Sequence, residues 1–216
     1  FGKAMTLVLV GINHKTANIA LREKVAFPPE IVGEALAQIR EIPDLSEVVL
    51  VSTCNRTEFY LGYELGSSAE FSASELDYDH LIIEKQQYIV KWLSEYHQLA
   101  QDQLSDSVYV FSDLEVVRHL MKVSCGLDSM VLGEPQILGQ IKSAFAVSKD
   151  LDFVGPSLER AFQAAFSIAK EVRTDTAIGE NPISVAYTAV TLAERIFSDL
   201  ESLSIMLIGA GRTIEL

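Results

Sequence analysis

The sequence predicts an α+β fold: a ferredoxin-like βαββαβ unit, then helices, a long connecting helix, and the first strand of a truncated Rossmann-type domain. Three observations predict it. Short β-branched runs alternate with helical apolar spacing through the first half of the chain, and stripes of helical period dominate the second. Near the end, a strand-like run at 204–208 leads straight into Gly209-Ala210-Gly211.

Residues 6–12 are apolar and β-branched and read as a strand, followed by a loop through Asn13-His14-Lys15. Pro28-Pro29 then opens a helix, because a first-turn residue loses nothing by lacking an N–H. Ile31, Val32, Ala35, Leu36 and Ile39 fall on one face of it. Pro43 and Asp44 break the chain before 48–51, a run typical of a buried strand, and 57–63 supplies another strand after the short segment 53–56. Gly and Ser crowd 66–74, a loop composition. A helix is expected over about 79–97, with Ile82, Ile83, Ile89, Trp92 and Leu93 inward, and a fourth strand at 108–111. This order places helices on one face of an antiparallel sheet.

Further on, Ser112 or Asp113 can cap a helix running to about Val123, and another helix follows Glu134-Pro135. Leu158, Ala161, Phe162, Ala165, Ala169 and Val172 trace one stripe of a long helix behind Pro156-Ser157. Ala186, Ala189, Val190, Ala193, Ile196 and Phe197 trace a second, with Asn181-Pro182 breaking the chain between them. Such a pair is either a connecting arm or a hairpin closing the core. A strand running into a Gly-x-Gly turn is how a dinucleotide-binding fold begins, since the glycines let backbone approach a pyrophosphate at the next helix N-terminus. The third glycine position is Ile214 and the sequence stops two residues later, so a fragment is expected. The expected boundaries are a first domain at 5–154, a helical linker at 155–202 and the start of a second domain at 203–216, with 1–4 a cloning remnant before Met5.

Composition narrows the function. The two cysteines, Cys54 and Cys125, form no CxxC and have no paired histidines, which argues against a zinc site or a disulfide scaffold and for a reduced, cytoplasmic thiol protein. No apolar run is long enough to span a bilayer. A net charge of −13 argues against gripping nucleic acid over the whole surface, because phosphate backbones are met by Lys and Arg; a local patch remains compatible with it.

Cys54 follows a buried strand, two positions before Arg56, whose charge favours a thiolate; Thr53 and Asn55 can donate to an oxyanion. The alternative is a small buried hydrophobe, the usual fate of a free cysteine. His14 and His119 are the candidate histidines; His119 can serve as a general base or leaving-group acid, although a core histidine bound to a carbonyl is the commoner case. Within 126–136, Gly126 and Gly133 flank a mixed apolar segment, and Ser129, Gln136 and helix-start amides can hold a small polar ligand or simply cap a helix.

Taken together, Gly11-Ile12-Asn13-His14-Lys15-Thr16-Ala17, residues 52–58 and 126–142, Val172-Arg173-Thr174 and Ser184-Val185-Ala186-Tyr187 resemble the glutamyl-tRNA reductase family, in order and at its spacing over nearly all of residues 5–216. The resemblance implies an NADPH-dependent enzyme that converts tRNA-bound glutamate to glutamate-1-semialdehyde, the committed step toward tetrapyrroles. It implies Cys54 as the nucleophile that forms a thioester and His119 as a histidine important for activity. The glutamate pocket it implies comprises Thr53, Asn55, Arg56, Ser129, Glu134, Pro135, Gln136 and Gln140, with Arg56 meeting the substrate carboxylate. Gly209, Ala210, Gly211, Arg212, Thr213 and Ile214 fall where the family's NADPH domain starts. The implied partners are glutamyl-tRNA, a second copy through a C-terminal domain not in this sequence, and the downstream aminomutase; no metal and no membrane is implied. Two departures stand out: Asn18-Ile19 where Pro-Val is common, and Arg212 at a usually acidic position. The fragment is expected to bind substrate and carry out thioester or esterase chemistry without completing the reduction.

Overall fold

The computed structural model describes residues 4–65, 75–179, 185–197, 203, 204 and 206. In chain order its elements are β1 (Ala4–Asn13), α1 (Ile19–Lys24), α2 (Pro29–Ile39), β2 (Leu45–Ser52), β3 (Arg56–Leu65), α3 (Glu75–Tyr96), α4 (Gln101–Ser105), β4 (Tyr109–Ser112), α5 (Asp113–Ser124), α6 (Gln136–Asp150), α7 (Pro156–Asp175) and α8 (Val185–Ile196). The fold is α+β. Its four strands form one antiparallel sheet in the order β2-β3-β1-β4.

Strand side chains alternate between faces, and here both faces are apolar. Val8, Val10, Ile12, Leu50, Phe59 and Leu61 pack against Ala35, Leu36 and Ile39 of α2 and Ile89 and Leu93 of α3. Leu9, Val49, Val51 and Tyr60 pack on the other side against α5, α6 and α7. The helices of the first half, α2 and α3, share one face as expected, and the later helices α5, α6 and α7 cover the other, so the sheet is covered on both. The continuous runs Leu7-Val8-Leu9-Val10 and Val48-Val49-Leu50-Val51 leave no polar face to turn to water.

The predicted stripe of α7 is buried at Leu158, Ala161, Phe162, Ala165 and Ala169. Phe162 stacks on Phe145 of α6 with centroids 5.0 Å apart and meets the edge of Tyr60 at 5.3 Å. The start of α7 is fastened by a strand. Gly155 at the N-cap has no side chain to offer, and the Glu47 carboxylate of β2 accepts from the amides of Ser157 at 3.1 Å and Leu158 at 2.6 Å. A negative group at a helix start also suits the helix dipole. Of the two readings of this region, α7 closes the core, whereas Val190, Leu192 and Ile196 of α8 are exposed.

Two short helices escaped the sequence reading. The first, α1, is capped by Asn18, whose Oδ1 accepts from the Leu21 amide at 2.9 Å; the second is α4. At α5, Ser112 occupies the N-cap without capping the helix through its side chain, and Asp113 accepts from Thr6 Oγ1 and the Leu7 amide of β1, both at 2.9 Å. The loop read at 66–74 lies outside the described residues, as do 207–216. Of the strand expected at 204–208, residues 204 and 206 are described and lie in no strand.

Candidate active site

Cys54 is exposed at the tip of the turn between β2 and β3. The turn is fixed from within, because Thr53 Oγ1 accepts from the amides of Asn55 and Arg56, each at 3.2 Å, and the Thr53 amide donates to Arg56 O at 2.8 Å. It is also held from outside. The His14 amide donates to Asn55 O at 2.9 Å, and Arg22 Nη1 of α1 donates to Cys54 O at 3.3 Å and Asn55 Oδ1 at 3.0 Å. Among the described residues the Cys54 amide and the Thr53 hydroxyl hydrogen have no acceptor. Both are donors left over beside the sulfur.

Directly after the turn, Arg56, Glu58 and Tyr60 project from one face of β3, two residues apart. Arg56 is 1% exposed, with Nη1 on Glu58 Oε1 at 2.6 Å and Nη2 on Asp128 O at 2.6 Å and Oδ2 at 3.0 Å. Glu58 is fully buried. It also accepts from Tyr60 O–H at 2.7 Å and from the Tyr109 hydroxyl, and lies 2.8 Å from His119 Nε2. With a carboxylate facing Nε2, the ring proton belongs there. Lys15 pairs with the outer oxygen of Asp128.

Tyr109 reaches Glu58 because Gly11 lies between them. Gly11 pairs with Glu58 on β3 and with Tyr109 on β4, and a Cβ there would stand 2.8 Å from Tyr109 Cζ and 2.9 Å from Glu58 Cγ.

Burial works to raise the Glu58 pKa, but Arg56, His119 and Tyr109 together outweigh it and hold the carboxyl well below the usual range. Burial likewise opposes the Arg56 charge, and Glu58, Tyr109, Tyr60 and Asp128 together more than offset that, so its pKa rises. Burial first and Glu58 second push Tyr60 and Tyr109 upward, keeping both as O–H donors. For Asp128, burial acts upward and the bonds from Lys15 and Arg56 bring the pKa down. His14 is lowered, chiefly by burial and then by Arg56.

A cleft of about 560 Å³ opens between the end of β2 and α6, lined by Phe27, Leu50, Ser52, Pro135, Gln136 and Gln140 among others. Pro135, Gln136 and Gln140 therefore share one wall, with Cys54 two residues beyond Ser52. Ser129 is half-buried in the loop whose Asp128 holds Arg56. That loop is pinched shut where the Gly133 amide donates to Gly126 O at 3.0 Å, and both glycines adopt positive φ (+77° and +79°), where a Cβ is strained. Glu134 is half-buried, its carbonyl taking a bond from Arg173 Nη2 at 3.0 Å. His119 bonds to Glu58 and makes no hydrogen bond to Cys54. Residues 209–214 lie outside the described residues, and among the described residues no His/Cys/Asp/Glu group is arranged to hold a metal ion.

Sequence reasoning missed Glu58, Tyr60, Tyr109, Asp128 and Arg22. For the first two a signal was present: ionisable residues alternating with apolar ones along a buried strand share a face and must satisfy one another.

Fold and site define a thiol protein whose cysteine stands on a preformed turn above a buried ion-pair network. The family model described as "Glutamyl-tRNAGlu reductase, N-terminal domain" matches residues 10–176. The glutamyl-tRNA reductase of Ectopseudomonas mendocina (strain ymp) is 52% identical over 212 residues, covering 98% of this chain and 46% of the relative. That of Pseudomonas aeruginosa is 51% identical over the same length, with the same coverage. Among solved structures, the glutamyl-tRNA reductase from Methanopyrus kandleri matches with a TM-score of 0.60 and 33% identity, over 95% of this chain and 44% of that one. The chain belongs to the glutamyl-tRNA reductase family. It spans about half the length of the curated relatives it matches.

Proposed function

We propose that this chain is the substrate-binding and acyl-transfer half of a glutamyl-tRNA reductase, in which Cys54 takes the glutamyl group from tRNA. The observation that carries the reading is the exposed Cys54 on a turn pinned from three directions beside the cleft. The thiolate attacks the ester carbonyl carbon, forming the C–S bond and moving the electron pair to the carbonyl oxygen. Collapse then expels the 3′-oxygen of the terminal ribose, which takes a proton, and leaves a glutamyl thioester on Cys54. The leftover Cys54 amide and Thr53 hydroxyl are the donors suited to the transient oxyanion.

Arg56 binds the substrate carboxylate in this reading by exchanging Asp128, its partly exposed partner, while the buried Glu58 stays. Asn55, Ser129, Glu134, Pro135, Gln136 and Gln140 complete the glutamate pocket. His119, the acid for the leaving oxygen, reaches it only by releasing Glu58; while bound there it fixes Glu58 against Arg56.

The hydride that converts the acyl group to glutamate-1-semialdehyde is what NADPH supplies when bound. Its expected residues, Gly209, Ala210, Gly211, Arg212, Thr213 and Ile214, lie outside the described residues, so the chemistry supported here ends at the acyl-enzyme. The finer organisation belongs to the same proposal: a ferredoxin-like βαββαβ unit within 5–154, a linker at 155–202 and a Rossmann-type beginning at 203–216. Dimerisation through a C-terminal domain, delivery of the aldehyde to the aminomutase and a cytoplasmic location are proposed for the whole protein.

The test is to mix the chain with radiolabelled glutamyl-tRNA, omit NADPH and quench in acid. Label on the protein that hydroxylamine releases, and that Cys54→Ser abolishes, is expected. Label persisting in Cys54→Ser, or no label despite retained tRNA binding, sinks the proposal.

A further inference from the structure

A groove of about 470 Å³ runs between α6 and α7, lined by Lys142, Gln163, Phe166, Lys170, Arg173 and Thr174 among others. On α6 the cleft takes Gln136, Gly139, Gln140 and Ser143, while the groove takes Leu138 and Lys142. At 3.6 residues per turn these sets lie on roughly opposite sides of the helix. The groove lining holds three cations and no carboxylate, in a chain with 30 acidic residues against 17 basic ones.

Neither Lys142 nor Lys170 joins an ion pair among the described residues. Lys142 Nζ lies over the Phe166 ring, 5.6 Å from its centroid. Arg173 donates one Nη to Glu134 O, and its side chain makes no other hydrogen bond among the described residues. It thereby links the groove to the residue just before Pro135 and Gln136 of the cleft. Three separated cations around an aromatic ring suit a phosphodiester chain bearing bases better than one small anion. The net charge of −13 works against such a chain over most of the rest of the surface.

We propose that this groove holds the phosphate backbone of the RNA whose aminoacyl end enters the cleft on the other side of α6. The inference rests on the glutamyl-tRNA reading above and adds where the RNA lies. The two sites are separated by one helix, about 10 Å with its side chains.

The test measures glutamyl-tRNA affinity across a salt series for the unaltered chain, for Lys142→Ala with Lys170→Ala, and for Lys91→Ala. Lys91 is on α3, against the opposite face of the sheet, and serves as the charge control. Glutamyl-adenosine ester, which carries the reacting bond without a backbone, is run alongside as acyl donor. The double variant is expected to bind glutamyl-tRNA about tenfold more weakly, with the slope of log K on log salt shallower by about 1.4, or ~0.7 for each lost contact to a single strand. It is expected to accept the glutamyl group from the adenosine ester as the unaltered chain does, and Lys91→Ala is expected to change neither.

An unchanged affinity and salt slope in the double variant, with Cys54 still labelled by both donors, overturns this inference alone. Failure of the unaltered chain to be labelled by either donor overturns the glutamyl-tRNA reading, and this inference with it.

Discussion

Replacing Glu58 with glutamine keeps the side chain's shape and removes the charge around which Arg56, His119, Tyr60 and Tyr109 are arranged. Breaking a buried ion pair from one side costs about 3–5 kcal/mol, most of it from the charge left behind. Here Asp128 still holds Nη2 of Arg56, which places the loss near the lower end, about 3 kcal/mol. With a urea dependence of about 3 kcal/mol per molar, the unfolding midpoint falls by roughly 1 M. The assay is equilibrium urea unfolding followed by tryptophan fluorescence, Trp92 being the single reporter. A cycle with Arg56→Met isolates the pair, and a coupling of about 1–3 kcal/mol is expected. A midpoint within ~0.3 M of the unaltered protein, with Arg56→Met additive to it, refutes the claim that Glu58 is the hub.

Stability should also depend on acid. Glu58 and Asp128 both have folded pKa values below their ordinary ones, so as pH falls through about 4 the unfolded chain takes up protons that the folded one refuses. The stabilisation is present at neutrality and is lost progressively below that pH, and Glu58→Gln flattens this acid limb in urea titrations run at several pH values. Gly11→Ala drives a methyl into Tyr109 and Glu58 and is expected to cost about 1–3 kcal/mol in thermal or urea unfolding; an unchanged stability would mean that the row across the sheet is loose. At Gly155, a Cβ would lie 2.6 Å from Glu47 Oε1, so Gly155→Ala should dislodge the cap of α7 at a cost of about 1–2 kcal/mol. Faster hydrogen exchange at the Ser157 and Leu158 amides would report it directly.

Much of this architecture was legible because burial imposes local patterns. The runs of β1 and β2, the proline-led starts of α2 and α7, and the five buried positions of α7 could be read without coordinates. So could the placing of Cys54 in the short segment that follows a buried strand. What was hidden depends on long-range pairing: Arg56 meets Asp128 72 positions away, and Glu58 meets His119 at a separation of 61. Nothing local selects those partners. The second covered face was not assigned, because the late helix pair was left open between an arm and a core-closing hairpin, although the unbroken apolar strands demanded cover on both sides. The six-residue α1 is too short to show a period, so only its Asn18 cap could have announced it.

The row formed by Glu58, Gly11 and Tyr109 across three strands has a consequence for how such a sequence can change over generations. Because the two large side chains meet in the space above a glycine, a change of size at any one of the three positions is felt at the other two. A larger residue at position 11 is admissible only in a background where position 58 or 109 has already shrunk, so the order of substitutions matters and many direct mutational routes are closed. Drift at the neighbouring Val10 or Ile12, which face the opposite side of the sheet, carries no such debt to Tyr109.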